Sequence, residues 1–580
     1  MKKRILIIVA VVASLMCWIA SCNSGGSPDN SAGTVDSTAI AAGEVLFNKN
    51  CASCHNFKQD GIGPKLDGLT TLVSTHWIRE FIKNPQGMIA SGDERSRQLF
   101  KKYKTTMPSF ASMSDGELNA IVAFMDIHKS SGQKSAKRGD ELSDPIPDTI
   151  ELSNLVVELE LVTKISPASS GSWPLTRITK LDYQPNTGKL FIVDLRGKLY
   201  MLQDGNAIEY MDMAKLRPNF IDEPGLASGF GSFAFHPGFS ENGLLYTTHT
   251  EAPNSGKADF SLPDSIKATL QWVLTEWKIG NTEAAVFSGV GRELLRADMV
   301  TGMHGFQEIT FNTTANPGSP DYGMLYIGIG DGGSAEEGFD FLLNSKEKIW
   351  GAILRIDPKG SNSVNGRYGI PLDNPFVKIK DDKALGEIYA YGFRNPHRIS
   401  WTKSGKMLAC NIGQASIESL NLIMPGHNYG WPIREGSFVA GDIDEGWGKV
   451  FPLPADDSIY RITYPVAQYD HDEGFAVTGG FEYWGSSIPL LKNKYLFGDI
   501  VSGRLFYVET ADIKQGKQAP IREWEISVNG TPATLTGLSG TERADLHFGR
   551  DSKGELYILT KTDGRVHRLR TANLKHSKVD

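Results

Sequence analysis

The sequence predicts an all-β six-bladed propeller that is preceded by a small all-α domain. A pair of apolar residues at the head of a strand recurs six times after residue 155, and four copies turn into a second short strand. Helical periodicity is found before residue 130. The 580 residues are 40% hydrophobic and 22% charged, which indicates a globular protein, and the net charge of -7 argues against a nucleic-acid partner.

The first 22 residues predict a lipoprotein signal peptide. A positive start (Lys2, Lys3, Arg4) precedes an apolar segment of signal-peptide length. Ile19-Ala20-Ser21-Cys22 resembles a bacterial lipobox, in which the cysteine is lipidated; a plain secretory signal is the alternative. Residues 23–38 are rich in Ser, Gly and Asn and predict a flexible tether. We therefore expect export, a lipid anchor on Cys22 at the cell envelope (periplasm-facing or outer membrane), and no transmembrane helix in the mature chain.

Residues 39–130 predict a cytochrome c domain of class I. Cys51-Ala52-Ser53-Cys54-His55 is the C-x-x-C-H motif that attaches haem c: two thiols join the vinyl groups and the histidine reaches the iron. A thioredoxin-like dithiol would need a βαβ setting, and a zinc site would need a second cysteine pair, which the sequence lacks. The following Ile62-Gly63-Pro64 occurs in many class I cytochromes c.

Met107 is the predicted sixth iron ligand. Thr105-Thr106-Met107-Pro108 resembles the loop that delivers an axial methionine, and Met88, Met113 and His128 are the competitors. The capping box Ser114–Glu117 then begins a closing helix. A His/Met pair raises the iron potential and leaves no open position, which favours electron transfer.

Residues 131–155 are polar, lack periodicity and predict a linker, and residues 156–575 predict the propeller. An array of β-sandwiches is the alternative for the repeats. The six strand heads are Leu190-Phe191, Leu245-Tyr246, Leu325-Tyr326, Met407-Leu408, Leu496-Phe497 and Leu556-Tyr557. Long units imply large loops, where a propeller carries its site.

An ordered set of segments over residues 165–570 resembles the soluble quinoprotein glucose/sorbosone dehydrogenase family, which includes aldose sugar dehydrogenases. The segments are Phe233–Phe239, His304-Gly305, Leu325–Gly333, Ile353–Asp357, Tyr391–Pro396, Leu420–Leu422, Gly426–Pro432, Thr478–Gly480 and Phe497–Arg504. The resemblance implies a six-bladed propeller that holds pyrroloquinoline quinone (PQQ) and calcium at one mouth.

The resemblance also implies roles for single residues. His304 matches the catalytic base, with a structural turn histidine as the alternative. Arg394 and Asn395 match contacts to the quinone, and Arg504 is a weaker candidate for a PQQ carboxylate. Without the resemblance, Arg394 would be interpreted as a salt bridge between blades. The calcium ligands correspond to the backbone carbonyls of Gly413 and Gln414 and the carboxylate of Glu418.

Four positions depart from the family pattern. Met303 stands where an Asp is frequent, Ala227 where an acid or Gln is usual, His397 where a Gln is usual, and Ser419 beside Glu418 where an acid is common. Each change removes a polar contact near the expected quinone or substrate. A different sugar, a different quinone pose or a propeller without PQQ would each be compatible with them.

Two functions of different class follow. The first is a PQQ-dependent aldose dehydrogenase that oxidises a sugar at C1, transfers hydride to PQQ and passes electrons through haem c to a downstream acceptor. The second is a carbohydrate- or protein-binding propeller without PQQ, fused to an electron-carrier cytochrome c. An electron carrier with a scaffolding propeller is a third interpretation.

Overall fold

The structure is a computed structural model, and it describes residues 37–52, 54–57, 62–128, 140–168, 174–225, 227–378, 383–441 and 448–575. The predicted signal peptide, Cys22 and most of the tether lie outside these residues. Within the described ranges, no helix combines the length and the apolar character needed to cross a bilayer.

The N-terminal part is a small helical domain, as the sequence predicts. Its helices are α1 (Ser37–Asn50), α2 (Leu69–Leu72), α3 (Thr75–Lys83), α4 (Pro85–Ala90), α5 (Glu94–Tyr103) and α6 (Asp115–Ile127). The predicted capping box is formed: the Ser114 hydroxyl accepts from the Glu117 backbone N–H, and the Glu117 carboxylate accepts from the Ser114 N–H. Helices α1 and α6 pack together around Phe47, Leu118 and Ile121, which are buried. The helical fold therefore rests on one apolar core.

The rest of the chain is mostly β. Its strands are β1 (Glu151–Lys164), β2 (Ile178–Tyr183), β3 (Leu190–Asp194), β4 (Lys198–Gln203), β5 (Asn206–Asp212), β6 (Phe230–Phe235), β7 (Leu244–Glu251), β8 (Leu270–Ile279), β9 (Gly289–Met299), β10 (Glu308–Phe311), β11 (Leu325–Ile329), β12 (Ala352–Ile356), β13 (Ile388–Tyr391), β14 (Pro396–Trp401), β15 (Met407–Asn411), β16 (Ile417–Leu422), β17 (Arg434–Glu435), β18 (Phe438–Ala440), β19 (Val450–Phe451), β20 (Ala467–Asp470), β21 (Val477–Glu482), β22 (Lys494–Asp499), β23 (Leu505–Glu509), β24 (Arg522–Val528), β25 (Thr531–Ala533), β26 (Leu546–Arg550), β27 (Leu556–Thr560) and β28 (Arg565–Leu574). Three short helices interrupt them: α7 (Met213–Leu216), α8 (Phe239–Asn242) and α9 (Leu535–Ser539).

Twenty-four of these strands form six sets of four. The sets are β2–β5, β6–β9, β10–β13, β14–β15–β16–β20, β21–β24, and β26–β28 with β1. Three of the sets (β21–β24, β26–β28 with β1, and β2–β5) are joined with β25 in one 13-stranded sheet, and β17–β19 form a separate three-stranded sheet. The six predicted strand heads lie in the second strands of the sets, namely β3, β7, β11, β15, β22 and β27. The first strands contact one another in the order β2, β6, β10, β14, β21, β26 and back to β2. Each sequence repeat thus corresponds to one set of strands.

The segment predicted as a linker is attached to the β-rich part. Strand β1 begins at Glu151, inside the predicted linker, because it pairs with β28 on one side and β24 on the other. Before it, the Ile146 N–H donates to Asp470 over 3.0 Å and the Ile150 N–H donates to Glu473 over 2.9 Å. The sequence shows no periodicity here because the partners of this segment come more than 300 residues later.

A buried ionic network joins four first strands. Lys180 on β2 donates to Glu308 on β10 over 2.6 Å and to Ser232 on β6 over 3.3 Å. Arg398 on β14 donates to the other Glu308 oxygen over 3.3 Å. All four side chains are buried, so the carboxylate of Glu308 compensates two cations that have no access to bulk water.

We expect Glu308→Ala to lower the free energy of unfolding by about 3–5 kcal/mol, because it leaves two buried cations without their counter-charge. Urea denaturation followed by tryptophan fluorescence measures the loss. The matched control is Glu283→Ala, since Glu283 is 67% exposed in its pair with Lys189 and should cost less than about 1 kcal/mol. Equal losses in the two variants would contradict a stabilising role for the network.

Candidate functional site

A cavity of about 620 Å³ lies between the helical domain and the loops at one end of the β-rich part. Pockets of a few hundred cubic ångströms are typical of cofactor and substrate sites. The β-rich part contributes Ala227, Met303, His304, Glu336, Arg394, Asn395, His397, Gly413, Gln414 and His471, and the helical domain contributes Cys54, His55, Tyr103 and Thr105. Thus the predicted base, two of the three predicted quinone contacts (Arg394 and Asn395) and part of the haem-attachment motif share one cavity.

His304 has a fixed orientation in this cavity. Its Nδ1 lies 2.8 Å from the Asp331 carboxylate, and 13% of its side chain is exposed. Its backbone is left-handed, with φ +48°, which is strained for a residue with a side chain. A Cβ at Gly330 would collide with His304, so only glycine permits this approach. With Nδ1 engaged, Nε2 is the ring nitrogen that can act on a substrate.

Asp331 holds this histidine, although the sequence analysis gave it no role. It follows β11 and accepts hydrogen bonds from Trp431 Nε1 at 3.0 Å and the Gly333 N–H at 3.0 Å. Burial alone would raise its pKa, but the charge and hydrogen bond of His304, with Arg394, hold the pKa below the usual value. The signal in the sequence was the Gly-Asp-Gly-Gly turn, but the partner of its aspartate could not be identified from the chain alone.

Arg394 is buried in the cavity wall, and three of its five guanidinium N–H groups donate to protein partners. Its guanidinium donates to the Gln414 side chain over 2.5 Å, to the Gly413 carbonyl over 2.6 Å and to Glu336 over 2.9 Å. Gln414 also donates to Glu336 over 2.9 Å. The acidic partner Glu336 was missed in the sequence because it lies in the loop after β11, 58 residues before the arginine.

The loop between β15 and β16 is oriented by Glu435. One oxygen of this carboxylate accepts from four consecutive backbone N–H groups, those of residues 414–417, over 2.8–3.1 Å. In a peptide the carbonyl points opposite to the following N–H. The carbonyls of Gly413 and Gln414 therefore point away from Glu435, and both residues line the cavity.

The predicted calcium ligands do not form a metal cage by themselves. The Gly413 carbonyl accepts from Arg394. Glu418 is buried and accepts from the Gly413 and Val477 N–H groups and from His471, and burial raises its pKa. No cluster of three or more His, Cys, Asp or Glu suited to a metal ion occurs among the described residues. Calcium takes six to eight oxygens, so these residues do not fit the ion in the observed arrangement.

The remaining predicted contacts divide into two groups. Asn395 lines the cavity next to Arg394, whereas the structure does not bring Arg504 there. Arg504 instead pairs with Glu473 and, over 2.7 Å, with Glu523. The charge of this arginine is satisfied by two carboxylates whose positions only the fold determines.

Three of the four departures from the family pattern face the cavity. Met303, Ala227 and His397 line it. Ser419 is buried in β16 beside Asn421, whose side chain donates to its hydroxyl over 3.0 Å. Burial keeps the pKa of His397 well below its usual value, so this histidine is neutral near pH 7.

The cavity wall suits an anionic quinone. PQQ carries three carboxylates, and the cationic side chains of Lys102, Arg394, Lys449 and Arg543 line the space beside the acidic Glu141, Glu336 and Asp472. Asn395 adds an amide that can donate and accept hydrogen bonds. The donor set therefore fits PQQ, with Arg394 and Asn395 as the residues that would hold it.

A second, largely apolar cavity in the helical domain fits a haem. Cys51, Cys54, His55 and Met107 line it together with Leu66, Ile78 and Ile82. The His55 Nδ1 lies 2.8 Å from the Pro64 carbonyl, which leaves Nε2 for iron. A Cβ at Gly63 would strike the His55 ring, which explains the glycine before this proline.

Met107 and its competitors differ in position. Met107 lines the haem cavity, whereas Met88, Met113 and His128 do not. His128 stacks on Phe57, with ring centroids 3.7 Å apart, and burial lowers its pKa. The structure thus brings the predicted pair, His55 and Met107, to one cavity.

We expect Met107→Ala to lower the haem reduction potential, because a thioether ligand favours reduced iron. The measurement is a spectroelectrochemical titration of the purified, haem-loaded chain. The control Met88→Ala removes an identical side chain that does not line the haem cavity, and it should leave the potential unchanged. A potential that moved in Met88→Ala and not in Met107→Ala would contradict the assignment.

Two known proteins are similar to this chain over more than half of its length. HIPL1 protein of Arabidopsis thaliana is 26% identical over 423 residues, covering 65% of this chain and 58% of that protein. Quinoprotein glucose dehydrogenase B of Acinetobacter calcoaceticus is 26% identical over 338 residues, covering 53% and 63%. The chain spans about three fifths of the length of these relatives.

A solved structure supports the fold. The soluble aldose sugar dehydrogenase from Escherichia coli, in its apo-form, has a TM-score of 0.51 at 17% identity and covers 72% of this chain and 100% of that one. The family model for Cytochrome c matches residues 40–129, and the model for Glucose / Sorbosone dehydrogenase matches residues 175–566. The chain therefore belongs to the glucose/sorbosone dehydrogenase family and carries a cytochrome c domain ahead of the family region.

Proposed function

We propose that this protein is a quinohaemoprotein that oxidises an aldose-type sugar at C1 and passes the electrons to its own haem c. The observation that carries the proposal is that His304, Arg394 and the haem-attachment residues Cys54 and His55 line one cavity. We also propose that the six four-stranded sets are the blades of one six-bladed propeller, because their first strands contact one another in a closed order.

His304 and Asp331 have separate roles in the proposed reaction. His304 Nε2 accepts the proton of the C1 hydroxyl, and Asp331 keeps Nδ1 protonated and stabilises the imidazolium that forms. Asp331 stays ionised at neutral pH because His304 and Arg394 lower its pKa against the effect of burial. When bound, PQQ supplies a two-electron acceptor for hydride and the haem a one-electron outlet.

Arg394 and its hydrogen-bond partners position the cofactor. Arg394 is neutralised on one side by Glu336 and is held by the Gln414 side chain and the Gly413 carbonyl. Such fixed partners hold the guanidinium plane in one orientation before a ligand arrives, which lowers the entropic cost of binding. Ca²⁺ is a variable of the test below, because the observed arrangement of the predicted ligands does not fit the ion.

The proposal is tested by monitoring the absorbance of the reduced haem. Full-length protein loaded with haem and PQQ, with and without Ca²⁺, is mixed with a panel of aldoses under anaerobic conditions. We expect reduction of the haem with at least one sugar, and none when PQQ is omitted. If haem and PQQ are both bound and no aldose reduces the haem, the assignment to sugars is wrong; if PQQ does not bind, the propeller is better interpreted as a carbohydrate- or protein-binding module.

We expect His304→Ala and Asp331→Asn to lower the rate of sugar-dependent haem reduction by about 10²–10⁴, because one removes the base and the other its orientation. Stopped-flow absorbance measures the rate at saturating sugar. The matched control is His427→Ala, because His427 bonds to Thr463 and lies outside the cavity wall. A wild-type rate in His304→Ala would rule out the assigned base.

The cell-envelope location is also part of the proposal. A lipid on Cys22 would place the sugar site outside the cytoplasm and its electrons near a membrane-associated acceptor. Metabolic labelling with a radioactive fatty acid should mark the wild type and not Cys22→Ala. Unlabelled wild-type protein that is nevertheless exported would favour the plain secretory signal.

A further inference from the structure

Arg543 is a cation that the β-rich part contributes to the wall of the haem cavity. It lies between α9 and β26, and it lines both the haem cavity and the 620 Å³ cavity. Its backbone carbonyl accepts from the hydroxyls of Thr541 at 2.8 Å and Thr562 at 2.9 Å. The arginine is therefore held from two sides at the boundary between the two proposed cofactor sites.

The guanidinium keeps its charge in this position. It donates to Asp545 over 2.5 Å, and 16% of the Arg543 side chain and 4% of the Asp545 side chain are exposed. Burial alone would lower the pKa of Arg543, but the charge and hydrogen bond of Asp545 outweigh it and raise the pKa. Asp545 also lines the haem cavity, so the ion pair presents both signs of charge to the haem side.

An exposed hydrogen bond joins the helical domain to the β-rich part next to this arginine. The Thr106 hydroxyl donates to the Glu542 carboxylate over 2.9 Å. Thr106 precedes Met107, the predicted sixth ligand, and Glu542 precedes Arg543. The loop that would carry an iron ligand is thus tied to the loop that carries the cation.

We propose that Arg543 is an electrostatic element of the haem site, supplied by the propeller, which favours the reduced haem and so draws electrons from the substrate cavity. Reduction adds one electron to the haem and removes one from the donor in the cavity, and Arg543 exchanges no proton. A fixed positive charge stabilises the form with one more electron, more strongly where water is excluded. The inference rests on the haem of the proposed function and is independent of the sugar and PQQ.

The test is a redox titration of the haem in the full-length protein without PQQ or sugar. We expect Arg543→Gln to lower the equilibrium constant for reduction roughly tenfold, as for a unit charge at about 10 Å in a partly desolvated site; tenfold is about 59 mV for one electron. Arg543→Lys should keep most of the wild-type potential. Asp545→Asn should shift the potential upward, because it removes the opposing charge.

Opposite shifts separate charge from loosened packing, which would move the potential of both variants in the same direction. The matched control is Arg504→Gln, since Arg504 pairs with Glu473 and Glu523 outside both cavities, and its potential should equal that of the wild type. Equal potentials in wild type and Arg543→Gln, with haem intact, would overturn the proposal. If Arg543→Gln does not fold, the absence of an upward shift of the potential in Asp545→Asn would overturn the proposal. Because the titration contains no sugar or PQQ, a failure of the proposed sugar oxidation would not change either measured potential.

Discussion

The pairing of β1 with β28 connects the beginning of the β-rich region to its end. Strand β1 joins the last set of strands and also pairs in parallel with β24, so residues far apart in sequence share one sheet. The segment before β1 is bonded to Asp470 and Glu473 near the cavity end. The chain that arrives from the helical domain is thereby fixed beside the loops of the site.

The site is made from loops that join rigid strands, and His304, Asp331 and Arg394 each have a fixed hydrogen-bond partner. His304 and Asp331 come from the loops before β10 and after β11, and Arg394 from the turn before β14. Each of these side chains is buried or nearly so and makes at least one hydrogen bond within the cavity wall. Groups held in this way need little reorganisation when a ligand binds or charge develops. The same geometry brings haem-attachment residues and the proposed base His304 to one cavity.

Local patterns predicted a large part of the fold. The capping box predicted α6, and the six apolar strand heads identified the second strand of each set. The C-x-x-C-H motif and Met107 fall on one cavity because the small domain has a single apolar core. The resemblance of the segments around His304 and Arg394 to glucose/sorbosone dehydrogenases is confirmed at the level of the family. The local pattern did not predict that the last residues of the linker segment, from Glu151, belong to a strand, because the pairing partners of this strand follow only after several hundred residues.

The sequence by itself determined the element types, the haem motif, the order of the repeats and the family, because each is encoded in short-range spacing of residue types. Only the tertiary structure decided which charges meet. It paired Asp331 with His304, Glu336 with Arg394 and Arg504 with Glu473, and it brought Arg543 to the haem cavity. Such pairings depend on which strands contact one another and on which loops share an end. A periodicity along the chain reports the burial of a side chain, but it carries no information about the distant group that neutralises its charge.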